Sequence, residues 1–299
     1  MAVADHLRYP SPLRYPGGKG KLANFVKLLF LKNDLVGSEY VEPYAGGAAV
    51  ALSLLFEDYA SHVHINDLNP SIYTFWSVVL NEADELCERI RSVPLTTEEW
   101  QRQRLVQEQS RPQDIDLAFS TFFLNRTSRS GIIGGGIIGG LDQTGPWKID
   151  ARFSRNDLIR RIQKIARHRS RITVTGLDAA DYLATQLPDI HDPFVYLDPP
   201  YYVKGGELYR HSYLAKDHTS IARRVTKLDM PWMVSYDTAP EILSLYQNSP
   251  SILYDLSYSA QDRYRGKEVI FFSDDLDLPD VQTPASISWQ TVDDLRTSN

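Results

Sequence analysis

The apolar run Phe194-Val195-Tyr196-Leu197 stops at Asp198-Pro199-Pro200-Tyr201, and two consecutive prolines leave the chain few ways to continue. Each proline fixes φ at about −65°, removes a backbone donor and disfavours helix at the residue before it. The run therefore reads as a strand, and the tetrapeptide holds its acceptors outward instead of feeding them into a ladder or a helix. A carboxylate, a stiff carbonyl and an aromatic face are thus gathered at one strand end. That set suits chemistry on an exocyclic amine, whose lone pair is delocalised into a ring until acceptors engage its two hydrogens. Asp198 and the Pro199 carbonyl can be those acceptors. Tyr201 offers a ring on which a flipped-out base can stack, which needs the aromatic face and not the hydroxyl. An ordinary strand-to-loop turn with an exposed tyrosine fits the same four residues, so the motif alone leaves both readings open.

Strand and helix alternate through most of the chain. Glu39-Tyr40-Val41-Glu42 reads as a strand, Tyr44-Ala45-Gly46-Gly47 as a tight turn, residues 48–56 as a buried helix and His62-Val63-His64-Ile65-Asn66 as the next strand. This alternation predicts an α/β fold, a parallel sheet with helices on both faces. From residue 77 to residue 169 it gives way to polar helical pattern, with helices expected over 81–91 and 96–108, the second opening on Thr97-Glu98-Glu99. Strands resume at 171–175, 194–197, 232–235, 252–256 and 269–272. The expected organisation is one α/β domain, residues 1–76 and 170–299, carrying a helical insert, 77–169. Gly131-Ile132-Ile133-Gly134-Gly135-Gly136-Ile137-Ile138-Gly139-Gly140 is the low-complexity patch and reads as a mobile loop.

Composition removes several classes. No apolar stretch approaches a membrane span, and Met1-Ala2-Val3-Ala4-Asp5-His6 lacks a secretory pattern, so a cytoplasmic protein is expected. The single cysteine, Cys87, and scattered histidines argue against a disulfide framework or a structural metal. The formal net charge of −6 speaks against nucleic acid until its distribution is considered. Arg152, Arg155, Arg160, Arg161, Lys164, Arg167 and Arg169 crowd one segment, while acid collects near the C-terminus. The basic run reads either as a solvated helix face or as a phosphate contact.

Three further segments suggest a nucleoside ligand. Glu42-Pro43-Tyr44-Ala45-Gly46-Gly47 sits where a strand turns into a helix, and its glycines permit close approach. Asp67 ends the following strand, where an acid can bond ribose hydroxyls. Arg14-Tyr15-Pro16-Gly17-Gly18-Lys19 is a second close-approach loop with an aromatic and a cation. Neither loop has dinucleotide or P-loop spacing, so an adenosyl ligand without phosphates fits better.

In this order the segments resemble the Dam-like (D12 class, alpha group) family of DNA adenine-N6 methyltransferases, from about residue 13 to 272. The resemblance implies a Rossmann-like methyltransferase sheet, S-adenosylmethionine as methyl donor without a metal, and direct transfer to an adenine flipped from duplex DNA. Tyr15, Lys19, Glu42, Pro43, Tyr44, Gly46, Asp67, Asp178 and Asp198 are then the cofactor residues. Asp198, Pro199, Pro200 and Tyr201 form the catalytic motif. Asn125, Arg126, Arg129 and Arg155 in the insert are the expected DNA contacts. A prokaryotic or phage source, a monomer or weak dimer, and a cognate restriction or defence system complete the family picture. Tyr15-Pro16 stands where familiar members carry Trp-Ala, and the Ile/Gly loop also differs, so no recognition sequence is carried over. Two alternatives remain: transfer to another planar amine (cytosine N4, RNA adenine or a protein amide), or an inactive DNA-binding relative.

Overall fold

The computed structural model describes residues 10–15, 19–109, 113–202, 213–257 and 265–298. Pro16, Gly17 and Gly18 of the first loop lie outside them. The strands are β1 (Glu39–Glu42), β2 (His62–Asn66), β3 (Ile172–Thr175), β4 (Pro193–Leu197), β5 (Trp232–Asp237), β6 (Ser251–Ser257) and β7 (Arg265–Phe272). They form one sheet in the order β3-β2-β1-β4-β5-β7-β6. β3, β2, β1, β4 and β5 run parallel, and β7 lies antiparallel between β5 and β6. β1 pairs with both β2 and β4, so the chain order reverses at the β1/β4 pair. In open α/β sheets ligands bind at the carboxyl ends of the strands flanking such a reversal. Glu42 and the Asp198 motif end these two strands.

The strand interiors are apolar because helices cover both faces. Phe194, Val195, Tyr196 and Leu197 are all fully buried. Ala23–Lys32 (α1), Ala49–Phe56 (α2) and Pro70–Asn81 (α3) contribute to one core, in which Phe30 packs edge-on to Phe194 and Tyr40 stacks on the same ring. Ala179–Thr185 (α8), Ala215–Val225 (α9) and Pro240–Leu245 (α10) cover the other face, and Trp289–Ser298 (α11) closes the described chain.

Between β2 and β3 lie α3 and then Ala83–Ser92 (α4), Thr97–Glu108 (α5), Asp114–Thr127 (α6) and Arg155–Arg167 (α7). Thr96 caps α5 by accepting from Glu99 N at 3.2 Å, the start signal that its sequence carries. α6 is apolar on nearly all sides and buried from Ala118 to Asn125; its core is continuous with that of α1–α3. α7 is amphipathic, burying Leu158, Ile159, Ile162 and Ile165. The Ile/Gly segment is folded instead of open: Arg129 N donates to Gly136 O (2.8 Å), Ile138 N to Thr127 O (2.9 Å), and Ile137 is buried.

The strand-end loops are tied together by one amide, Asn66. Its Nδ2 donates to Pro43 O (3.0 Å) and Leu177 O (2.9 Å), and its Oδ1 accepts from Leu177 N (2.9 Å) and Thr175 Oγ1 (2.8 Å). The side chain is 1% exposed, and its loss leaves four polar groups without this partner. Asn66→Ala should destabilise the protein by about 2–4 kcal/mol. A chemical-denaturation midpoint unchanged from wild type would contradict the zipper role.

Candidate active site

The turn after β1 is shaped by Tyr15. Gly46 adopts φ +45°, and a Cβ there would lie 2.7 Å from the Tyr15 ring; at Gly47 it would lie 3.1 Å from Tyr15 Cβ. The close approach that the glycines permit is therefore, first of all, by the protein's own aromatic. Gly46 N donates to Asp67 Oδ2 (2.8 Å), Asn69 N to Asp67 Oδ1 (2.9 Å), and Trp76 Nε1 to Gly46 O (2.9 Å). Asp67 is thereby fixed at the rim while remaining half-exposed, its carboxylate presented to the cleft.

That cleft has a volume of about 1310 Å³, larger than the usual range of about 300–1,000 Å³ for one small molecule. Tyr15, Lys19, Glu42, Pro43, Tyr44, Asp67, Asp198 and Pro200 all line it, as does Tyr213, whose hydroxyl meets that of Tyr44 at 2.9 Å. Asp178 instead caps α8, accepting from Ala180 N at 2.8 Å, while its neighbours Leu177 and Ala179 face the cleft. Pro199 is buried behind the motif.

Asp198 is the centre of a buried polar network. Lys19 Nζ lies 3.1 Å from Asp198 Oδ1 and 3.5 Å from Glu268 Oε2, and donates to the Tyr201 hydroxyl at 2.7 Å. Ser235 Oγ donates to Asp198 Oδ1 (2.6 Å) and bonds the Tyr196 hydroxyl (2.9 Å). Glu268 receives Tyr201 OH on Oε1 (2.5 Å) and Tyr254 OH on Oε2 (2.6 Å). Burial raises Asp198 above the ordinary carboxylate range, while Lys19 and the Ser235 hydroxyl pull it back. Glu42 is pushed well above that range by burial and then by the charge of Asp198, and its Oε2 has no hydrogen-bond partner among the described residues. One end of the cleft thus carries more carboxylate than Lys19 balances.

Two sequence expectations change here. Tyr201 is 8% exposed, Lys19 Nζ sits 4.7 Å from its ring centroid, and its hydroxyl is bonded on both sides. Its hydroxyl is engaged where the stacking reading treats it as dispensable, because the residue after the prolines turns inward toward two buried charges. The expected DNA contacts divide likewise. Asn125 is 1% exposed; its amide accepts from Arg14 N (2.7 Å) and donates to Arg14 O (2.6 Å) and Gly131 O (2.8 Å), docking the first loop on the insert. Arg155 donates to Ile90 O (2.5 Å) and Val93 O (2.6 Å), closing the C-terminal end of α4. Both serve the fold, with their polar groups spent internally. Arg126 lines the cleft and Arg129 is exposed.

Asn66, Ser235, Tyr254 and Glu268 escape the sequence reading. The signal for three of them is a polar residue inside an apolar strand run, which must find a partner once buried. Asn66 ends β2 directly before Asp67, and its side chain is structural. Among the described residues no group of three or more His, Cys, Asp or Glu side chains is placed to hold a metal ion, and no helix is long and apolar enough to cross a membrane.

Tyr201→Phe leaves Lys19 and Glu268 each short of a partner and should cost about 1–3 kcal/mol of stability; a thermal midpoint equal to wild type would restore the stacking-only reading. Because the folded protein holds the Asp198 proton more tightly than the unfolded chain does, the carboxylate's contribution to stability falls as pH rises. Asp198→Asn should therefore be more stable than wild type at neutral pH, with the difference shrinking as pH falls through the raised value toward the ordinary carboxylate range. A difference independent of pH would contradict the burial account.

A curated relative, the Type II methyltransferase M.MjaIII of Methanocaldococcus jannaschii, is 31% identical over 83 residues, 27% of this chain. The match spans only 29% of that relative's length. Among solved structures, a candidate RNA methyltransferase from Pyrococcus horikoshii aligns at 11% identity over 87% of this chain and 86% of that one, TM-score 0.41. Precorrin-6y C5,15-methyltransferase from Geobacter metallireducens aligns at 11% identity over 83% and 88%, TM-score 0.35. The family model for D12 class N6 adenine-specific DNA methyltransferases matches residues 15–259, most of the chain, including the Asp198 motif and the strand-end turns. The chain belongs to the D12 class N6 adenine-specific DNA methyltransferase family.

Proposed function

We propose that this protein transfers a methyl group from S-adenosylmethionine to the N6 amine of an adenine flipped out of duplex DNA. Family membership supports the reaction, and the observation that carries it is Asp198, set at the end of β4 beside the cleft and braced by Lys19 and Ser235. When bound, S-adenosylmethionine supplies a methyl made electrophilic by its sulfonium. The carboxylate-rich end of the cleft suits such a cation: the unpartnered Glu42 oxygen and Asp198 both face it. Asp67 is in reach of ribose hydroxyls, and Tyr15, Pro43, Tyr44 and Gly46 form the turn against which the adenosyl group would lie; Asp178 contributes by holding the start of α8.

Asp198 then works as a hydrogen-bond acceptor. Engaging an amine hydrogen localises the lone pair and favours the positive charge that grows on nitrogen during transfer. Lys19 and Ser235 oppose the effect of burial on the carboxylate and fix it in place, so little reorganisation is needed when the base arrives. Pro199 and Pro200 stiffen the loop. Tyr201 belongs to the catalytic motif as a brace of the Lys19–Glu268 pair. The volume beyond an adenosyl group leaves room for a base. Residues 77–169 serve as the target-recognition insert, with Arg126 and Arg129 as its DNA contacts, and the reaction takes place in the cytoplasm.

Digestion of treated, previously unmethylated DNA to nucleosides should give N6-methyldeoxyadenosine by mass spectrometry. N4-methyldeoxycytidine, or product only with RNA or protein, would overturn the reading. Asp198→Ala should reduce transfer by about a hundredfold or more while S-adenosylmethionine affinity stays within about tenfold, about 1.4 kcal/mol. Retention of more than a few per cent of turnover would remove Asp198 from the mechanism.

A further inference from the structure

The end of the cleft opposite in character to Asp198 is lined by four arginines from separate segments: Arg14 of the first loop, Arg126 at the end of α6, Arg152 in the short 3-10 turn Ile149–Arg152, and Arg161 of α7. Their backbones are held by one another's surroundings. Asn125 clamps Arg14 N and O, Arg126 Nε donates to Arg152 O (2.8 Å), and Arg161 Nη1 donates to Ser11 O (2.9 Å). Gly131, at φ +78°, lets the clamp close, since a Cβ there would sit 2.4 Å from Arg14 O.

Charge in this cluster is poorly compensated. Asp157 pairs with Arg161 (2.6 Å) but is shared with Arg160 (3.3 Å). Burial, then Arg14 and Arg161, push Arg126 down to about 9, with Asp157 opposing and Arg152 adding to the fall. Arg14 is lowered by burial and by Arg152. Two buried donors, Arg14 Nη1 and Arg161 Nε, have no hydrogen-bond partner among the described residues. A fold that crowds like charges and leaves such donors unsatisfied suits a bound anion.

We infer that these four arginines form a cage for a backbone phosphate of the DNA substrate, next to the nucleotide delivered to Asp198; this rests on the function proposed above. A guanidinium presents its donors in a plane that matches a phosphate's oxygens. Rotation of a nucleotide out of the duplex pivots on its own phosphates, and a phosphate gripped between the insert and the first loop would hold that pivot. In the first loop Arg14 is followed by Tyr15, which packs on Gly46 and Gly47 of the cofactor turn, so phosphate capture and site assembly share one segment.

The test uses the full chain with Arg14→Gln, Arg152→Gln, the double variant, and Arg14→Lys. Three quantities are read: affinity for a short duplex as a function of salt, affinity for S-adenosylmethionine, and the thermal midpoint without DNA. The double variant should bind duplex about tenfold or more weakly and with a salt slope smaller by about 0.9 for one lost phosphate contact. Its cofactor affinity should be unchanged, its thermal midpoint equal or higher because like charges are relieved, and Arg14→Lys should recover the slope. Unchanged duplex affinity and slope overturn the cage. A fall in cofactor affinity with duplex binding intact assigns the arginines to the cofactor's carboxylate and equally overturns it. A lowered midpoint accompanying weaker binding makes the cluster structural. These readouts do not depend on methyl transfer, so a wild type that grips duplex as described yet yields no N6-methyldeoxyadenosine counts against the reaction and not against the cage.

Discussion

The site depends on one ammonium, Lys19, set between carboxylates at the end of β4 and within β7. Removing an ion from water costs several kcal/mol even after relaxation, and a buried pair survives only when further hydrogen bonds complete it. Here Tyr201, Tyr254 and Ser235 supply those bonds to Glu268 and Asp198. Glu268 is 1% exposed, on the strand inserted antiparallel between β5 and β6, opposite Asp237 and Tyr254. The antiparallel part of the sheet thus supplies a counter-charge while the parallel part supplies the reacting group. Glu42 extends the imbalance: raised well above the ordinary range by burial and Asp198, it is a carboxyl that a cationic ligand would draw back toward ionisation.

The cleft is lined by both signs of charge. The carboxylates Glu42, Asp67 and Asp198 come from strand ends, and the arginines Arg14, Arg126, Arg152 and Arg161 from the first loop and the insert. A sulfonium and a phosphodiester are complementary to these two sets, and the room in the cleft suits an adenosyl group and a base. Such polarity also limits the routes by which ligands can be misplaced, because a phosphate near Asp198 or a cation near Arg126 meets like charge.

Much of this was legible in the sequence where local chemistry is decisive. β1 and β2 span the residues read for them, 39–42 and 62–66, since turn residues and prolines punctuate the chain around them. The Asp-Pro-Pro-Tyr stop, the Gly46-Gly47 turn and Asp67 converge because strand ends converge in a parallel sheet. What was not legible depends on distance across the fold. Nothing in the run 152–169 distinguishes Arg155, spent on the carbonyls of α4, from Arg161, which reaches the cleft; both are basic residues on an amphipathic helix. The family resemblance put Asn125 among the DNA contacts, and only packing shows that its amide is consumed by Arg14 and Gly131. The Ile/Gly patch suggested mobility from composition, whereas its glycines let the backbone fold on itself and against Arg14.

Lys19 favouring the ionised form of Asp198 against the effect of burial is the claim on which the mechanism turns. Titration of the Asp198 carboxyl carbon by NMR, in wild type and in Lys19→Met, tests it most directly. The account predicts an Asp198 titration displaced to higher pH in the variant, because burial then acts without its chief opponent. An identical titration in both proteins would contradict it.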